Sequence, residues 1–257
     1  MQIHVIIHTF NAEKSIVDCI KSAKFLTNDI TVIDMKSDDK TVQLAKKMVA
    51  KIFSFPRFYY VEPAREFGIS KVDTDWFLLL DTDERITQKL VEEIKETINN
   101  PRYSNYKIPR MNIFGKIKWL RHGGWWPDYQ TRLINKKAFK SWPKAIHSTP
   151  LIEGSTGYLK NPIVHYFHGD LESMVDKTII FEDIESNLLF QAKKEASVSI
   201  FFRKFFGELY RRLIVGLGFQ DGEIGIIESI YQAFSKTITY IYLYEKTQSA
   251  GRQSSSV

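Results

Sequence analysis

Residues 76–84 of the chain read WFLLLDTDE, five apolar residues followed by an acidic cluster. A short apolar run that ends in polar residues predicts a strand buried on both faces of a sheet. Asp81 and Asp83 are therefore expected at the point where this strand leaves the sheet. Carboxylates at such a point can hold a divalent cation, Mg²⁺ or Mn²⁺, against phosphate oxygens. The same acids would also suit the first turn of a helix, so both interpretations stay open at this stage.

The hundred residues around this strand alternate short apolar runs with helical spacing. Further strands are predicted at residues 3–7, 30–34, 52–53 and 59–61. Apolar residues three and four positions apart predict helices near residues 16–23, 42–49 and 86–98. This alternating order is typical of a largely parallel sheet covered by helices, which binds ligands at the carboxyl ends of its strands.

The rest of the chain has a different pattern. Residues 102–170 are interrupted by Gly, Pro and aromatic residues, which predicts strands and loops. Helices are predicted at roughly residues 171–195, 198–215 and 222–245, and residues 253–257 are expected to be disordered.

The composition is that of a globular protein. Of the 257 residues 44% are hydrophobic and 26% are charged, which excludes collagenous and low-complexity chains. A single cysteine, Cys19, excludes an intrachain disulfide framework and fits a reducing compartment. No signal peptide is recognised, and no apolar run approaches the ~20 residues that span a bilayer.

The formal net charge of +6 is unevenly distributed. Residues 102–147 contain eleven Lys and Arg but one acid, Asp128, so this stretch carries +10 and the remainder carries −4. Four of the five tryptophans also lie there, at Trp119, Trp125, Trp126 and Trp142. A basic, tryptophan-rich segment around a single carboxylate suits an acidic partner.

Other polar residues are candidates for a ligand site. Asp34 ends the strand predicted at residues 30–34 and is expected at the same edge as Asp81. The residues that follow it, 37–41, favour a helix cap. Arg65 could donate paired bonds to a base or a phosphate, or could form a surface ion pair with a neighbouring acid, Glu62 or Glu66.

Several motifs, in the same order along the chain, resemble family 2 glycosyltransferases of the GT-A fold. They are HTFNAE at residues 8–13, VIDMKSDDKT at residues 32–41, Arg65, and LDTDER at residues 80–85. Later motifs are similar to the branch of that family that contains lipopolysaccharide-core glycosyltransferases. These are HGGWWPDYQTRL at residues 122–133, GYLKNPIVHY at residues 157–166 and GFQDG at residues 218–222. The resemblance covers about residues 1–245.

The resemblance implies an α/β protein of the GT-A fold, with a Rossmann-like, mostly parallel sheet flanked by helices and a helical C-terminal extension. Residues 1–100 would form the nucleotide-sugar-binding half of the GT-A domain, residues 101–195 its acceptor-binding half, and residues 196–257 the extension. The implied activity is an inverting transfer of a sugar from a nucleoside diphosphate sugar to a hydroxyl of a glycan or lipid-linked acceptor, in cell-surface polysaccharide or glycolipid synthesis.

The resemblance also implies which residues bind the donor: Thr9, Asp34, Arg65, Asp81 and Thr82. Of these, Thr9, Asp34 and Arg65 would line the nucleoside pocket, and Asp81 would touch the ribose or the metal.

Asp83 would ligate the Mn²⁺ or Mg²⁺ that bridges the diphosphate. His165 or His168, which follow the strand-like residues 163–164, could complete the metal or diphosphate site. A lone histidine is also common as a structural residue, so this assignment has an alternative.

Inversion in a single displacement needs a base on the face opposite the leaving group. Asp128 is expected to be that base, because it is the one acid of residues 102–147 and follows a Gly-Gly-Trp-Trp-Pro loop. Loop capping is its alternative role, and His147 is the second candidate for the base.

The acceptor is expected to contact Trp125, Trp126 and Arg132. Tryptophan rings can stack on sugar faces, but they are also common in protein cores. We therefore expect one of the two indoles to meet substrate and the other to pack.

The predicted C-terminal helices raise the question of a membrane. At residues 199–213 an apolar side formed by Phe202, Phe206, Leu209 and Leu213 opposes a cluster formed by Arg203, Lys204, Arg211 and Arg212. Such a helix can lie on an anionic bilayer or pack on the domain or a second subunit. In residues 224–244 the stripe Ile227, Ile230, Phe234, Ile238 and Ile241 favours packing within the protein or between subunits. A cytoplasmic enzyme, peripheral on the inner face of the membrane, is expected; a homo-oligomer stays open.

Two other classes of protein have to be weighed against a glycosyltransferase. A phosphatase of the haloacid dehalogenase type also has an acidic pair after an apolar strand, but there the pair closes the first strand and a Thr or Val follows it. A non-catalytic basic module could bind anionic lipid or nucleic acid. Nucleic acid is not expected as a partner, because the strand-end acids would repel its phosphates unless a metal were bound.

Overall fold

The structure, a computed structural model, describes residues 2–48, 51–58, 60–167 and 171–254. Its strands are β1 (Ile3–Thr9), β2 (Ile30–Asp34), β3 (Lys51–Ser54), β4 (Trp76–Asp81), β5 (Glu84–Arg85), β6 (Asn105–Phe114), β7 (Lys118–Trp119), β8 (Asp128–Asn135), β9 (Phe139–Ser141), β10 (Leu151–Ile152), β11 (Thr156–Tyr158) and β12 (Ile163–Phe167). Its α-helices are α1 (Ile16–Ala23), α2 (Thr41–Lys47), α3 (Glu62–Ser70), α4 (Gln88–Asn99), α5 (Leu171–Gln191), α6 (Val198–Tyr210) and α7 (Gly222–Ser254).

The chain forms two compact units. Residues 1–111 and 127–165 form the first, and residues 112–126 and 166–257 form the second. The units therefore interleave along the sequence, and the division of the chain at residues 100 and 195 stays a prediction.

The first unit is built on a mixed sheet with the strand order β3-β2-β1-β4-β8-β6-β12-β5. Strands β3, β2, β1 and β4 run parallel to one another, and β8 pairs antiparallel with both β4 and β6. Register places Thr9 opposite Asp34 and His8 opposite Asp81. The carboxyl ends of β1, β2 and β4 therefore meet at one edge of the sheet.

Helices cover both faces of this parallel part. Val5 and Ile7 of β1 pack with residues of α1 and α4 in one apolar cluster, while Ile6 packs with residues of α3 in another. Successive side chains of a strand point to opposite faces, so an apolar run such as that of β1 fills both clusters. Helix α4 begins where the Thr87 hydroxyl accepts a hydrogen bond from the Leu90 amide at 3.2 Å.

Strand β8 contains a bulge at Arg132. Leu133 pairs with Tyr106 and Thr131 pairs with Lys107, so Arg132 lies between two consecutive pairs and has no counterpart on β6. Bulges of this kind redirect a side chain and are common beside functional sites.

The second unit is mainly helical. Strand β7 pairs with Ile113 and Phe114 at the end of β6, and helices α5, α6 and α7 follow. A π-helical turn at Arg211–Val215 and a 3₁₀ turn at Gly218–Asp221 connect α6 to α7. Within the described residues no helix is both long enough and apolar enough to cross a bilayer.

Most elements predicted from the sequence are confirmed, including the strands at residues 3–7, 30–34 and 76–80 and the three C-terminal helices. The strand predicted at residues 59–61 is wrong for its described part, because Val61 directly precedes α3 and Pro63 lies in the first turn of that helix. Residues 253 and 254, expected to be disordered, belong to α7, and residues 255–257 lie outside the described part of the chain.

The packing predicted for the stripe on α7 within the chain is also wrong. Ile227, Ile230, Phe234 and Ile241 are exposed on the second unit. The buried residues of α7 are instead a mixture of polar ones, among them Ser229 and Thr239, and apolar ones, among them Ala233 and Leu243.

Candidate active site

The edge formed by β1, β2 and β4 collects several of the expected donor residues. The Asp34 carboxylate is buried and accepts hydrogen bonds from the Ser37 amide at 3.1 Å and the Ser37 hydroxyl at 2.6 Å. Thr9, opposite it, is also buried, and in the described part of the chain its Oγ1 has no hydrogen-bond partner. A buried hydroxyl is costly to leave unpaired, so Thr9 is suited to meet a bound ligand or water.

Residues 37–41 fasten the loop after β1 to the loop after β2. The Asp38 amide donates to Asn11 Oδ1 at 2.8 Å, and the Ala12 amide donates to Thr41 Oγ1 at 2.7 Å. Asp39 accepts from the Thr41 amide at 2.9 Å, at the first residue of α2. Asp39 thus binds the first amide of α2, but the N-cap residue itself is Lys40, so the prediction of Asp39 or Ser37 as the N-cap is wrong in detail.

A network of buried charges lies beneath the same edge. Asp81 accepts from Arg65 at 2.8 Å through Oδ1 and from Arg132 at 2.5 Å through Oδ2. Arg132 also donates to Glu84 Oε1 at 2.5 Å, and Glu84 Oε2 accepts from the Asp81 amide at 2.9 Å. The bulge in β8 thus directs Arg132 at two acids of the cluster that follows β4.

The network shifts the pKa values of its two acids in opposite directions. Burial alone would raise the pKa of Asp81, but the guanidiniums of Arg132 and Arg65 outweigh it and hold the pKa of that carboxyl well below its usual range. Burial raises the pKa of Glu84 despite the opposing charge of Arg132, and the Asp81 carboxylate adds to the rise. Burial tends to lower the pKa of Arg132, but Asp81 and Glu84 reverse that effect and raise it.

His8 extends the network on the other side of Arg65. Its Nδ1 lies 3.2 Å from Arg65 NH1, and its Nε2 lies 3.1 Å from the Ala64 carbonyl oxygen. Burial, aided by the charge of Arg65, lowers the pKa of His8 to about 3. A neutral ring that carries its proton on Nε2 satisfies both contacts, since Nδ1 then accepts and Nε2 donates.

Three expectations change with this geometry. The alternative surface pairing of Arg65 with Glu62 or Glu66 is wrong, because the buried Arg65 pairs with Asp81 instead. Arg132, expected at the acceptor, is buried and directs its guanidinium at Asp81 and Glu84, which argues against a direct acceptor contact. Both Asp81 oxygens accept from arginine, which argues against Asp81 as a metal ligand.

Asp83 and His165 come together beside this network. Strand β12 pairs with β5 so that His165 lies opposite Glu84, and His165 Nε2 lies 3.6 Å from Asp83 Oδ2. The described residues contain no group of three or more His, Cys, Asp or Glu side chains arranged to hold a metal. His168, the other histidine considered for this site, lies outside the described residues.

Asp128 is the first residue of β8, opposite Arg110 on β6. Its Oδ2 accepts from Arg110 Nε at 2.7 Å, and its Oδ1 accepts from Gln130 Nε2 at 2.7 Å. The carboxylate is thus held by side chains of two strands, and the alternative of loop capping stays a prediction. His147 is exposed, and its backbone amide donates to Glu62 Oε1 at 2.9 Å.

The second unit contains the two tryptophans expected at the acceptor. Trp125 stacks on Phe167 with ring centroids 4.6 Å apart, and Trp126 meets Trp119 edge to face at 5.3 Å. The Arg212 guanidinium also lies over the Trp125 ring, 5.2 Å from its centroid. Both indoles are only partly buried and keep some accessible surface.

Two motifs about a hundred residues apart meet in this unit. Asp221 of the GFQDG motif is buried, and its Oδ2 accepts from the amides of Arg121 and His122, both at 2.8 Å. Its Oδ1 lies 3.0 Å from His122 Nδ1. Asp221 therefore fixes the start of the segment that carries Trp125 and Trp126.

Sequence reasoning missed His8, Glu84 and Arg110 as members of the site. Glu84 had a local signal, since it directly extends the acidic cluster. His8 directly precedes Thr9 in a recognised motif, and that position in a buried strand could have pointed to it. Arg110 had no such signal, because its role depends on the antiparallel register of β6 and β8.

Comparison with known families identifies the chain. The profile of the family described as glycosyl transferase family 2 matches residues 4–153. The chain belongs to glycosyl transferase family 2. Among the relatives of this glycosyltransferase, an uncharacterized glycosyltransferase from Rickettsia typhi is 30% identical, over 95% of this chain and 87% of the relative. Another, from Rickettsia conorii, is 27% identical over 96% of this chain and 91% of the relative.

Solved structures support the fold. S. aureus TarS in complex with UDP-GlcNAc matches with a TM-score of 0.50 and 12% identity, over 97% of this chain and 92% of that one. Glucosyl-3-phosphoglycerate synthase from Mycobacterium tuberculosis, in complex with Mn²⁺ and UDP-glucose, matches with a TM-score of 0.50 and 15% identity, over 76% of this chain and 80% of that one. The predicted GT-A fold with a helical C-terminal part is confirmed. Family membership also rules against the phosphatase and the non-catalytic module.

Proposed function

We propose that this glycosyltransferase is an inverting, metal-dependent enzyme that transfers a sugar from a nucleoside diphosphate sugar to a hydroxyl of a glycan or lipid-linked acceptor. The observation that carries the proposal is the strand edge where Thr9, Asp34 and the buried Arg65–Asp81–Arg132 network meet. The ligands of the two structural neighbours, UDP-GlcNAc in one and UDP-glucose with Mn²⁺ in the other, support a donor of this class. Synthesis of a cell-surface polysaccharide or glycolipid, as in the lipopolysaccharide-core branch, is the proposed setting.

The donor nucleoside is proposed to bind at Thr9, Asp34, Arg65 and Thr82. Asp81 holds Arg65 in place while leaving other donors of that guanidinium for the ligand, since Arg65 Nε is buried without a partner among the described residues. The Thr9 hydroxyl is the second buried group in need of a partner. Asp34, fixed by Ser37, is proposed to accept from the base or ribose.

The cation is proposed to bind Asp83 and His165. A carboxylate and an imidazole 3.6 Å apart can share one Mn²⁺ or Mg²⁺, and such ions usually complete their coordination with water and substrate phosphates. Two protein ligands therefore fit a metal that arrives with the diphosphate. When bound, the cation would neutralise the charge that develops on the leaving diphosphate.

The catalytic base is proposed to be Asp128. Arg110 and Gln130 hold its carboxylate in one orientation, so that it can accept the proton of an acceptor hydroxyl. His147, whose backbone amide donates to Glu62 Oε1, is the second candidate.

The acceptor is proposed to meet the accessible parts of Trp125 and Trp126. The excess of Lys and Arg over residues 102–147 favours an acceptor that carries phosphate. Arg132 is proposed to position the donor-side acids and not to contact the acceptor.

Donor binding tests this proposal most directly. UDP-sugars should raise the midpoint of thermal unfolding, and Mn²⁺ should increase the rise, because ligands of the folded state stabilise it. Asp83→Asn should remove the increment due to Mn²⁺ and keep a smaller response to the donor alone. Asp18→Asn, which changes an exposed carboxylate on α1, is the matched control and should behave as the wild type.

Two results would contradict the proposal. No response of the wild type to any nucleoside diphosphate sugar would overturn the donor assignment. A full Mn²⁺ increment in Asp83→Asn would overturn the metal assignment.

A further inference from the structure

Helix α6 carries a row of exposed apolar side chains on the second unit. Val198, Phe202, Phe206 and Tyr210 lie four residues apart, so they follow one side of the helix. Phe202 is 61% exposed and Phe206 is 56% exposed, with their rings stacked on each other at 6.0 Å. Large aromatic side chains are rarely left in water in such a row.

Further apolar side chains are exposed directly after the helix. The π-helical turn after α6 exposes Ile214 and Val215, and the next turn exposes Leu217 and Phe219. Helix α7 adds its own exposed apolar stripe, which includes Phe234.

The interior of the helical unit contains buried polar groups beside apolar ones such as Ala233 and Leu243. Glu182 of α5 accepts from Ser235 Oγ at 2.6 Å and also from the Thr239 hydroxyl. Thr239 and Glu228 are buried. Helices that pair through polar groups and present apolar side chains outward are suited to an apolar surrounding medium.

The hairpin between the end of β6 and β7, in the second unit, also exposes an apolar residue at its tip. Ile117 is 77% exposed, and exposed lysines, Lys116 and Lys118, flank it. An isolated apolar residue between two cations can enter a bilayer interface while the lysines reach the lipid headgroups.

The distribution of charged residues indicates which partner binds the exposed apolar residues of the second unit. Residues 112–126 contain three cations and no acid, and residues 197–220 contain four cations and one acid, Glu208. Each stretch thus carries +3, whereas residues 171–196 carry −3 and residues 221–257 carry −1, so the positive charge of the second unit is concentrated in these two stretches. A second copy bound through the same face would bring these like charges together, since a two-fold dimer joins identical patches. An anionic surface would be attracted instead.

We propose that the second unit docks on an anionic lipid bilayer and lies in its interface, through the exposed side of α6, the turns at residues 214–219 and the tip at Ile117. Membrane docking goes beyond the proposed transfer reaction and does not depend on it. If the acceptor is lipid-linked, docking holds the enzyme at the surface where that acceptor is found.

Vesicle sedimentation of the full chain tests the docking surface. The wild type should sediment with vesicles of phosphatidylcholine mixed with phosphatidylglycerol, and much less with phosphatidylcholine alone. The double variant Phe202→Gln, Phe206→Gln should lose at least about tenfold in partition, because two phenyl rings no longer enter the apolar layer. Phe25→Gln, at a residue of the first unit that is 59% exposed, is the matched control and should bind as the wild type.

A second pair of changes tests the charge. Lys116→Gln with Lys118→Gln should reduce the preference for the anionic vesicles and leave the weak binding to neutral ones unchanged.

The alternative occupant is a second copy of the chain. A stable dimer in light scattering that Phe202→Gln, Phe206→Gln dissociates, with no sedimentation of the wild type on anionic vesicles, would overturn the proposal. Loss in the Phe25→Gln control equal to that in the double variant would also overturn it. The shift of the thermal midpoint by nucleotide sugar is expected to persist in all these variants, so a failure of docking is distinguishable from a failure of the proposed reaction.

Discussion

Asp81 joins the two arginines that organise the donor side of the site. Arg65 reaches one of its oxygens from α3, and Arg132 reaches the other from β8. A buried charge is tolerated when it is paired and hydrogen-bonded, and each of these three groups supplies a partner to another. We therefore propose that Asp81 acts through Arg65 as a positioning residue, while Thr9 and Asp83 are the side chains proposed to touch the donor and its metal.

Asp128→Asn should separate catalysis from binding. The amide keeps the shape of the side chain but cannot take the acceptor proton, so kcat should fall by about 10²–10⁴-fold. Donor affinity, measured by titration with the nucleotide sugar, should stay within a factor of about three, because Arg110 and Gln130 lie on the acceptor side of the proposed site.

The matched control is Glu153→Gln, which removes another carboxylate paired with a cation, Lys140, at an exposed position. It should leave both kcat and affinity unchanged. A loss of affinity with an unchanged kcat in Asp128→Asn would make Asp128 a binding residue and would exclude it as the base.

The positions of Thr9, Asp34 and Asp81 could be predicted from the sequence because each follows an apolar run that ends in a polar residue. Parallel pairing then places the three strand ends together. The burial of Arg132 could not be predicted in this way, since its direction is set by the bulge, and a bulge depends on which strands pair. The same holds for Arg110, whose partner lies 18 residues away on a different strand.

Helix α3 approaches β1 closely because of Gly68. A methyl group on Gly68 would lie 2.8 Å from His8 Nε2 and 3.0 Å from side-chain atoms of Ile6 and Ile33. These contacts are shorter than a buried side chain can accept without movement of the helix. The same helix carries Arg65, so its distance from β1 also determines where the guanidinium meets Asp81.

Gly68→Ala should therefore lower the free energy of unfolding by about 1–3 kcal/mol and weaken donor binding, as α3 is pushed away from the sheet. Gly207→Ala in α6 is the matched control, because no atom lies within 4 Å of the position a methyl group would take. It should raise the free energy of unfolding by up to about 1 kcal/mol through helix propensity. Urea titrations that shift in the same direction for both variants would contradict this account of Gly68.

The spacing of apolar residues predicted helices α1 and α4, because their buried residues recur every three to four positions. It failed at residues 60 and 61, where aromatic and β-branched residues resemble a strand in sequence. There Pro63 starts a helix that is held by its packing on the sheet. The prediction that the apolar stripe of α7 packs within the chain failed for a related reason. The spacing of apolar residues identifies one side of a helix, but it does not show what that side contacts.

The stability of the whole chain should depend on pH through His8. The unfolded chain binds a proton at His8 below about pH 6.5, whereas the folded chain resists it until the pH approaches about 3. Between these values the unfolded state holds more protons, so the free energy of unfolding should fall as the pH falls. The slope due to this residue is about 1.4 kcal/mol per pH unit.

Urea unfolding at several values between pH 6 and pH 5 would measure this slope, in a window above the ordinary range of Asp and Glu. His8→Gln, which keeps one donor and one acceptor, should be less steep than the wild type by about that amount. Burial also lowers the pKa of His4, so some slope of the same sign should persist in the variant. Equal slopes in both proteins would contradict the buried neutral imidazole.

The uneven charge is the whole-molecule feature that the sequence already displayed. The excess of Lys and Arg indicated an acidic partner. The sequence alone did not show whether that partner is a phosphate-bearing acceptor or an anionic membrane surface. The structure divides residues 102–147 between the two units, so that Lys116, Lys118 and Arg121 belong to the helical unit and Arg110 and Arg132 to the sheet. Cations that are neighbours in the sequence therefore belong to different units.

The bulge at Arg132 limits the insertions and deletions that strand β8 can accept. A deletion of one residue in β8 would let this strand pair regularly with β6, and the sheet itself would tolerate it. The deletion would nevertheless remove or redirect the guanidinium that neutralises Asp81 and Glu84, leaving two acids in a dry interior. An insertion of one residue would move the side chains of Asp128 and Gln130 to the opposite face of the sheet. Variation in length should therefore accumulate in exposed loops such as residues 143–145, while the residue count of β8 is conserved along any lineage that keeps the activity.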